Sequence, residues 1–285
     1  MNRPSRSDKG ADMTRDRRVR MLTQTKGQTD MNFKKTLLAA ALTLSAGFAM
    51  AADLPQVAIL ATGGTIAGTA ASATQTTGYK AGDLAIQTLI DAVPQIKDYA
   101  TVTGEQIVKI SSNNLTDQVL LTLARRCNEL LADPKVSGIV ITHGTDTLDF
   151  TANYFGRVFG DLPVPLVLIS ALYPLSDPRS NGFVNFAGAM TFIRDCGIGG
   201  AFVSNANPGK VCRIYLAERL LPADADGVFR GYGGAIGRIS DGRYVHDEKA
   251  FPIAELKARA SRPTRRSVPR HTRHTGPRAH GLFRL

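Results

Sequence analysis

Short apolar runs recur along the middle of the chain, and loops rich in glycine and hydroxyl-bearing residues follow them. A continuous apolar run of this length, bounded by turn residues, predicts a strand that is buried on both faces. Four such runs are Gln56–Ala61, Gly138–Thr142, Pro165–Ser170 and Gly200–Ser204. Two further β-rich runs, Tyr99–Thr103 and Gln106–Ser111, lie on either side of Gly104.

Segments whose apolar residues recur with a period near 3.6 separate these runs and predict amphipathic helices. One helix begins after a cap at Asp83 and ends at Pro94, and a second begins after a cap at Thr116. Two more are expected over Leu148–Val158 and from about Phe183 to Asp195. This alternation of strands and helices predicts an α/β domain with a mostly parallel, doubly wound sheet.

Three polar segments directly follow predicted strands, namely Thr62–Thr65, Ser111–Asn114 and His143–Thr147. In open α/β sheets, ligands bind in the loops beyond the carboxyl ends of the strands, near the point where the strand order reverses. We therefore expect the functional site where these three segments meet.

The first segment places two hydroxyls, Thr62 and Thr65, on either side of a Gly-Gly pair. Glycines let the backbone approach a ligand closely and turn N–H groups towards it, which suits the stabilisation of an oxyanion. A threonine hydroxyl in that setting is a candidate nucleophile, provided that a base takes its proton. The alternative is a plain strand-to-loop turn whose threonines are hydrogen-bonded locally. Neither of the common phosphate-loop patterns is present.

The third segment combines one histidine, two threonines and one aspartate. Asp146 is suited to hold a substrate ammonium group, because a carboxylate offers several acceptor sites. The alternative role for Asp146 is the N-cap of the following helix. Thr145 is a second candidate nucleophile or a residue that orients water. We interpret His143 as a structural hydrogen-bonding residue, although a nucleophilic triad would also use a histidine.

Composition and charge narrow the class of protein. The chain has 285 residues, of which 43% are hydrophobic and 21% charged, so it can bury a sizeable core. The formal net charge is +11, but residues 1–36 carry +6 and residues 253–285 carry +8, which leaves −3 for the body between them. The body therefore gives no reason to expect a nucleic-acid partner. A nucleic-acid binder that relies on the basic ends would need the tail and would show salt-dependent affinity.

The N-terminal residues predict export. Residues 31–51 have a short basic start, an apolar stretch and the small residues that a signal peptidase requires, so we expect cleavage before Ala52. The apolar stretch is too short for a membrane-spanning helix, so no membrane partner is expected. Residues 1–30 are interpreted as a non-native extension of the reading frame. A periplasmic or secreted location follows, and the three cysteines could form one disulfide there.

Residues 253–285 form an arginine- and proline-rich segment that we expect to be a disordered, solvated tail. His271, His274 and His280 in this tail are interleaved with arginines, which would repel a metal cation. We therefore expect no metal site there.

The two motifs together resemble the signatures of the bacterial L-asparaginase family. Leu60–Gly68 (LATGGTIAG) is similar to the first signature, and Ile141–Ala152 (ITHGTDTLDFTA) to the second. The intervening Ala92–Ser112 is also similar, so the resemblance covers about Leu54 to Ser204. The signal peptide points to the secreted, type II branch. Residues 52–252 are accordingly identified as an asparaginase-like N-terminal α/β domain.

The resemblance implies the roles of the catalytic residues. Thr62 would attack the side-chain amide carbon, and Tyr79 would correspond to the lid tyrosine that assists it. Thr145 and Asp146 would be the second catalytic threonine and the aspartate that grips the α-ammonium group.

The resemblance also implies the substrate and its binding residues. Ser112 would bind the α-carboxylate, and Asn113 occupies the neighbouring binding position, where family members often carry glutamine. The implied reaction is hydrolysis of L-asparagine to L-aspartate and ammonia, with L-glutamine as an alternative substrate. The resemblance implies no metal or organic cofactor, and it implies a homotetramer.

Two departures from the family set limits on this expectation. The family carries a lysine about seventy residues beyond the second motif, and that distance leads here to Glu218 and Arg219. The family's smaller C-terminal α/β domain is also not encoded. We interpret both as frame disruptions near Cys212–Val228 and after about Lys257, which would leave a truncated chain. The alternative function is therefore a catalytically defective remnant or an amino-acid-binding domain of the same family.

Overall fold

The computed structural model describes residues 54–68, 85–159, 161–207, 211–249 and 251–260, all within one compact unit that begins at Leu54. Within these residues, eight strands form one sheet: β1 (Gln56–Gly63), β2 (Thr101–Ile110), β3 (Val136–Thr142), β4 (Pro165–Ile169), β5 (Gly200–Asn205), β6 (Arg213–Leu216), β7 (Gly237–Ser240) and β8 (Arg243–His246). The same described ranges contain five α-helices: α1 (Ile86–Ala92), α2 (Asp117–Leu130), α3 (Leu148–Val158), α4 (Gly182–Cys196) and α5 (Ile253–Ala260).

The strand order is β2-β1-β3-β4-β5-β6-β7-β8. The first five strands in this order are parallel and the last three are antiparallel to their neighbours. The prediction of a mostly parallel α/β sheet is confirmed. The chain runs from β1 outward to β2 on one side and then returns to β3 on the other, so the strand order reverses between β1 and β3. A ligand site is expected at the carboxyl ends of these two strands.

Apolar side chains are buried on both faces of the sheet, which explains why its central strands are continuous apolar runs. Along β1, Ile59 belongs to the cluster covered by α1 and α4, whereas Leu60 belongs to the cluster covered by α2 and α3. The predicted cap of α2 is also confirmed, because the Thr116 side chain accepts a hydrogen bond from Val119 N–H. Such a cap typically contributes about 1 kcal/mol to stability.

Two sequence-based predictions are wrong in detail. The runs on either side of Gly104 form the single strand β2, and a Cβ at Gly104 would lie 2.7 Å from side-chain atoms of Ile86 and Ile90. The glycine therefore makes room for α1 and does not interrupt the strand. The segment from 253 begins with the helix α5, because its Leu256 is buried in the core beside Phe251.

Several other predictions lie outside the described residues. These are the extension and signal peptide of residues 1–51, the lid residue Tyr79 and the tail beyond residue 260. A third prediction, the helix cap at Asp83, is wrong, because Ala85 occupies the N-cap position of α1. In the part of the chain that the structure describes, no helix has the length and hydropathy needed to cross a bilayer.

Candidate active site

The loops after β1 and β3 meet in direct backbone contact. Gly63 and Gly64 have φ values of +104° and +76°, which only glycine adopts readily. A Cβ added to Gly64 would lie 2.4 Å from both Cα and N of Gly144. No side chain fits between these loops, so the absence of side chains at Gly64 and Gly144 lets the two signature segments come together.

The loop after β2 joins the same point. A Cβ added to Gly144 would lie 2.4 Å from the Ser112 Oγ. The hydroxyl of Thr147 donates a hydrogen bond of 3.1 Å to the Ser112 carbonyl, which ties this loop to the start of α3. All three polar segments singled out in the sequence therefore converge at Gly144.

Gly64 does not supply the oxyanion donor that we expected from the glycine pair. Gly64 N–H donates to the Ile110 carbonyl at 2.8 Å, so this N–H holds the loop against the end of β2. An N–H that is already hydrogen-bonded to a carbonyl is not aimed at a developing oxyanion.

The Thr62 side chain is almost fully buried, with 3% of its surface exposed. Its hydroxyl donates a hydrogen bond of 2.8 Å to the Thr142 carbonyl at the end of β3. A peptide carbonyl is not a base, so this hydroxyl must turn away from Thr142 before its proton can be transferred.

Three buried hydroxyls have no hydrogen-bond partner within the described residues: Ser112, Thr142 and Ser170. All three lie at or just beyond the carboxyl ends of parallel strands, β2, β3 and β4. A buried hydroxyl without a partner costs roughly 1–3 kcal/mol, and such groups call for a bound molecule or a functional reason. Their position at one edge of the sheet indicates a polar binding site there.

Asp146 and Asn113 are both exposed and join the loops after β2 and β3. Asn113 Nδ2 donates a hydrogen bond of 2.8 Å to Asp146 Oδ2. A carboxylate accepts several hydrogen bonds, so Asp146 retains capacity for a cationic group. The alternative role of Asp146 as a helix cap is wrong, because Thr147 occupies the N-cap position of α3. Thr145 is half-buried beside this pair.

His143 is completely buried and has the structural role that we expected. Its Nδ1 lies 2.8 Å from the Gly144 carbonyl, and its Nε2 lies 3.0 Å from the Thr151 hydroxyl. Since a carbonyl can only accept, Nδ1 carries the proton and Nε2 accepts from Thr151. Burial lowers the pKa of His143, and this outweighs the opposing effects of the Gly144 carbonyl and Asp149.

This burial makes stability depend on pH. Because the folded state keeps His143 neutral, the unfolded state binds an extra proton below its ordinary pKa of about 6.5, and stability falls as the pH drops through that value. We expect the free energy of unfolding of the wild type to fall relative to that of His143→Gln by roughly 1 kcal/mol per pH unit in this range. Urea unfolding of both proteins at pH 7.5 and 5.5 measures this. Parallel losses in the two proteins would contradict it.

The segment reached by the family's lysine spacing lies at the opposite edge of the sheet. Leu216 pairs with Phe202 near the start of β5, so Glu218 and Arg219 follow at the amino ends of the parallel strands. The backbone of Glu218 packs against α3, where a Cβ on Gly156 would lie 2.4 Å from its nitrogen. Neither residue therefore reaches the loops around Gly144.

Two asparagines missed in the sequence hold the neighbouring loops. Asn185 Nδ2 donates to the Ser170 carbonyl, and its Oδ1 accepts from Ala206 N–H, both at 2.7 Å. Asn181 bridges Leu172 N–H and the Ala206 carbonyl. Together they clamp the carboxyl ends of β4 and β5. The signal that could have found them is their spacing of four residues at the start of a predicted helix.

In the part of the chain that the structure describes, the remaining nucleophilic and metal-ligating groups form no second site. Cys127, Cys196 and Cys212 are free and buried, and burial raises the pKa of each thiol, to about 11 for Cys196 and Cys212. The predicted option of a disulfide is therefore not realised. Within the described ranges, no group of three His, Cys, Asp or Glu side chains could hold a metal ion.

The part of the chain that carries these loops is similar to known proteins. The family model described as Asparaginase, N-terminal matches residues 56–241. L-asparaginase 2 of Bacillus subtilis is 49% identical over 138 residues, which are 48% of this chain and 36% of that protein. The probable periplasmic L-asparaginase of Haemophilus influenzae is 43% identical over 165 residues, 58% of this chain and 46% of that one. This chain thus spans less than half the length of these relatives.

A solved structure shares the fold. The probable cytoplasmic L-asparaginase of Campylobacter jejuni superposes with a TM-score of 0.61 at 34% identity, over 67% of this chain and 58% of that chain.

Proposed function

This chain belongs to the asparaginase family, and from that membership we propose that it hydrolyses the side-chain amide of L-asparagine to L-aspartate and ammonia. The observation that carries the proposal is the convergence of three loops at Gly144. The contact of this residue with Gly64 and Ser112 brings the segments with the candidate nucleophile and the candidate binding residues to one edge of the sheet.

In the proposed reaction, the Thr62 oxygen attacks the side-chain amide carbon and forms an ester. The hydroxyl proton is transferred to the departing nitrogen with the assistance of Thr145 and Tyr79, and this nitrogen leaves as ammonia. Water then hydrolyses the ester, releasing L-aspartate and restoring the Thr62 hydroxyl. The bond from Thr62 to the Thr142 carbonyl must break at the first step, because the hydroxyl has to lose its proton to a base.

The two charged groups of the amino acid would be held by the loops after β2 and β3. The buried Ser112 hydroxyl has no protein partner within the described residues, so it is free to donate to the α-carboxylate. Asp146 would bind the α-ammonium group, with Asn113 holding the carboxylate in place. L-glutamine is one methylene longer and remains a proposed second substrate.

Replacing Asp146 by asparagine should raise KM for L-asparagine about tenfold to a hundredfold, because a hydrogen bond between two charged groups is lost. We expect kcat to change much less, since the ammonium group is remote from the bond that breaks. Steady-state ammonia release measures both constants. Asp149→Asn is the matched control, because it removes a carboxylate three residues away in the first turn of α3. Equal changes in the two variants would contradict the role of Asp146.

The rival function is an amino-acid-binding domain without catalysis. It is favoured by the lysines in the described part of the chain, all of which are exposed, and by the position of Glu218 and Arg219 at the far edge. Such a site would lack the lysine that the family resemblance implies.

One experiment separates the two functions. The full-length chain is mixed with L-asparagine, and ammonia release and calorimetric binding are measured on the same preparation. Catalytic ammonia release supports the hydrolase. Saturable binding without ammonia release supports the binding domain. If neither binding nor ammonia release were detected, both functions would be contradicted.

The cellular location and the assembly remain proposals as well. Export rests on the apolar stretch of residues 31–51, and N-terminal sequencing of the mature protein would show whether cleavage occurs before Ala52. The homotetramer rests on the family resemblance, and sedimentation of the mature protein would test it.

A further inference from the structure

Two arginines face each other on β6 and β7, in the antiparallel part of the sheet, and β6 lies three strands beyond β3. Arg213 of β6 pairs directly with Arg238 of β7. Residues directly opposite each other in an antiparallel pair lie on the same face of the sheet, so both side chains project from that face. Both residues are exposed.

The pairing brings these side chains close to each other. Ile239 N–H donates to the Cys212 carbonyl at 2.9 Å, so Cys212 and Ile239 form a hydrogen-bonded pair of the antiparallel ladder. The next pair, Arg213 and Arg238, is therefore of the non-hydrogen-bonded type, whose Cα atoms are about 4.5 Å apart and whose side chains are closer. Like charges at directly opposite positions destabilise a sheet.

Within the described residues, no carboxylate forms a salt bridge with either arginine. The acidic groups on adjoining segments have other partners. Asp224 is paired with Arg230 at 2.7 Å, and Asp241 accepts a hydrogen bond from Ser240. Asp247, which follows β8, also has an interaction of its own. The two facing guanidinium groups thus keep their positive charge and their hydrogen-bond donors.

The strands on either side place one polar and one apolar residue beside the pair. Asn205 lies opposite Arg213 on β5 and is buried, while Val245 lies opposite Arg238 on β8. Tyr215, two residues along β6 on the same face, is buried. Burial raises the pKa of Tyr215, and the charges of Arg213 and Arg230 oppose this effect.

We propose that Arg213 and Arg238 together bind a small oxyanion of the phosphate class, held by a guanidinium group on either side. Arginine forks match the geometry of phosphate oxygens, and a doubly charged anion between the two groups would replace their repulsion by attraction. The anion can be free phosphate or a phosphate group carried on an organic molecule. This proposal does not depend on the amidohydrolase function.

The test titrates inorganic phosphate into the full-length chain at constant ionic strength, with chloride as the balancing salt. Calorimetry should show saturable binding, and Arg213→Gln and Arg238→Gln should each weaken it about tenfold or more, since each removes a charged hydrogen-bonding partner. Arg125→Gln is the matched control, because it removes an exposed arginine from α2. Phosphate that acts no better than chloride, or an equal loss in Arg125→Gln, would overturn the proposal.

A second readout guards against variants that fail to fold. In chloride alone, the melting temperatures of Arg213→Gln and Arg238→Gln should equal or exceed that of the wild type, because the repulsion is relieved. Phosphate should then raise the melting temperature of the wild type clearly more than that of either variant. The same titration with glycerol phosphate identifies the source. Binding at least as tight as that of free phosphate indicates a carried group, and weaker binding indicates the free anion.

Discussion

Thr62→Val should lower the rate of ammonia release from L-asparagine by roughly 10⁴-fold or more, the scale seen when a covalent nucleophile is removed. Valine keeps the volume of threonine but has no hydroxyl to attack the amide. The cost to folding should be small, about 1 kcal/mol, since the variant loses one hydrogen bond, the one from Thr62 to the Thr142 carbonyl. Activity and thermal unfolding measured on the same sample separate the two effects.

Thr62→Ser is the matched control for this result, because it retains the hydroxyl and loses only a methyl group. We expect it to keep a substantial part of the wild-type rate. If Thr62→Val were as active as Thr62→Ser, another group would have to be the nucleophile, and Thr145 would be the next residue to test.

Gly64→Ala should eliminate activity and destabilise the fold by more than about 3 kcal/mol, because two separate penalties add. A Cβ at this position would lie 2.4 Å from backbone atoms of Gly144, which cannot move aside like the end of a side chain. The residue also has a φ of +76°, which costs a non-glycine residue roughly 1–2 kcal/mol. Urea unfolding and ammonia release measure the two losses.

Gly242→Ala separates the steric effect from the conformational one. Gly242 has a similar φ of +69°, but a Cβ there would meet no atom within 4 Å. We expect this variant to lose only about 1–2 kcal/mol and to keep full activity. Equal destabilisation in the two variants would show that the close contact between Gly64 and Gly144 adds nothing to the destabilisation caused by Gly64→Ala.

The sequence predicted most of the scaffold because local signals and packing agree along the central strands. The helix α3 begins and ends at the predicted Leu148 and Val158, where apolar periodicity is clear. Gly104 misled the prediction because a glycine in a strand usually marks an irregularity, whereas here it accommodates the side chains of α1. That requirement comes from a helix nearly twenty residues earlier in the chain and cannot be read locally.

The candidate site was predictable in its location and not in its hydrogen bonds. The polar segments after β1, β2 and β3 were expected to meet, and they do so at Gly144. The sequence could not show that Gly64 N–H is bonded to Ile110 or that Thr62 donates to Thr142. Both depend on the register between strands, which is set by packing across the whole sheet.

The bond between Thr62 and Thr142 joins residues that are 80 positions apart in the chain. Contacts of such long range form late during folding, because a large loop must close before they can contribute. A partly folded chain could thus possess helices and strand pairs without possessing the threonine in its final surroundings. The rate of ammonia release would then depend on the completely folded domain. Measuring how fast this rate recovers during refolding would give the time taken by the last stage of folding.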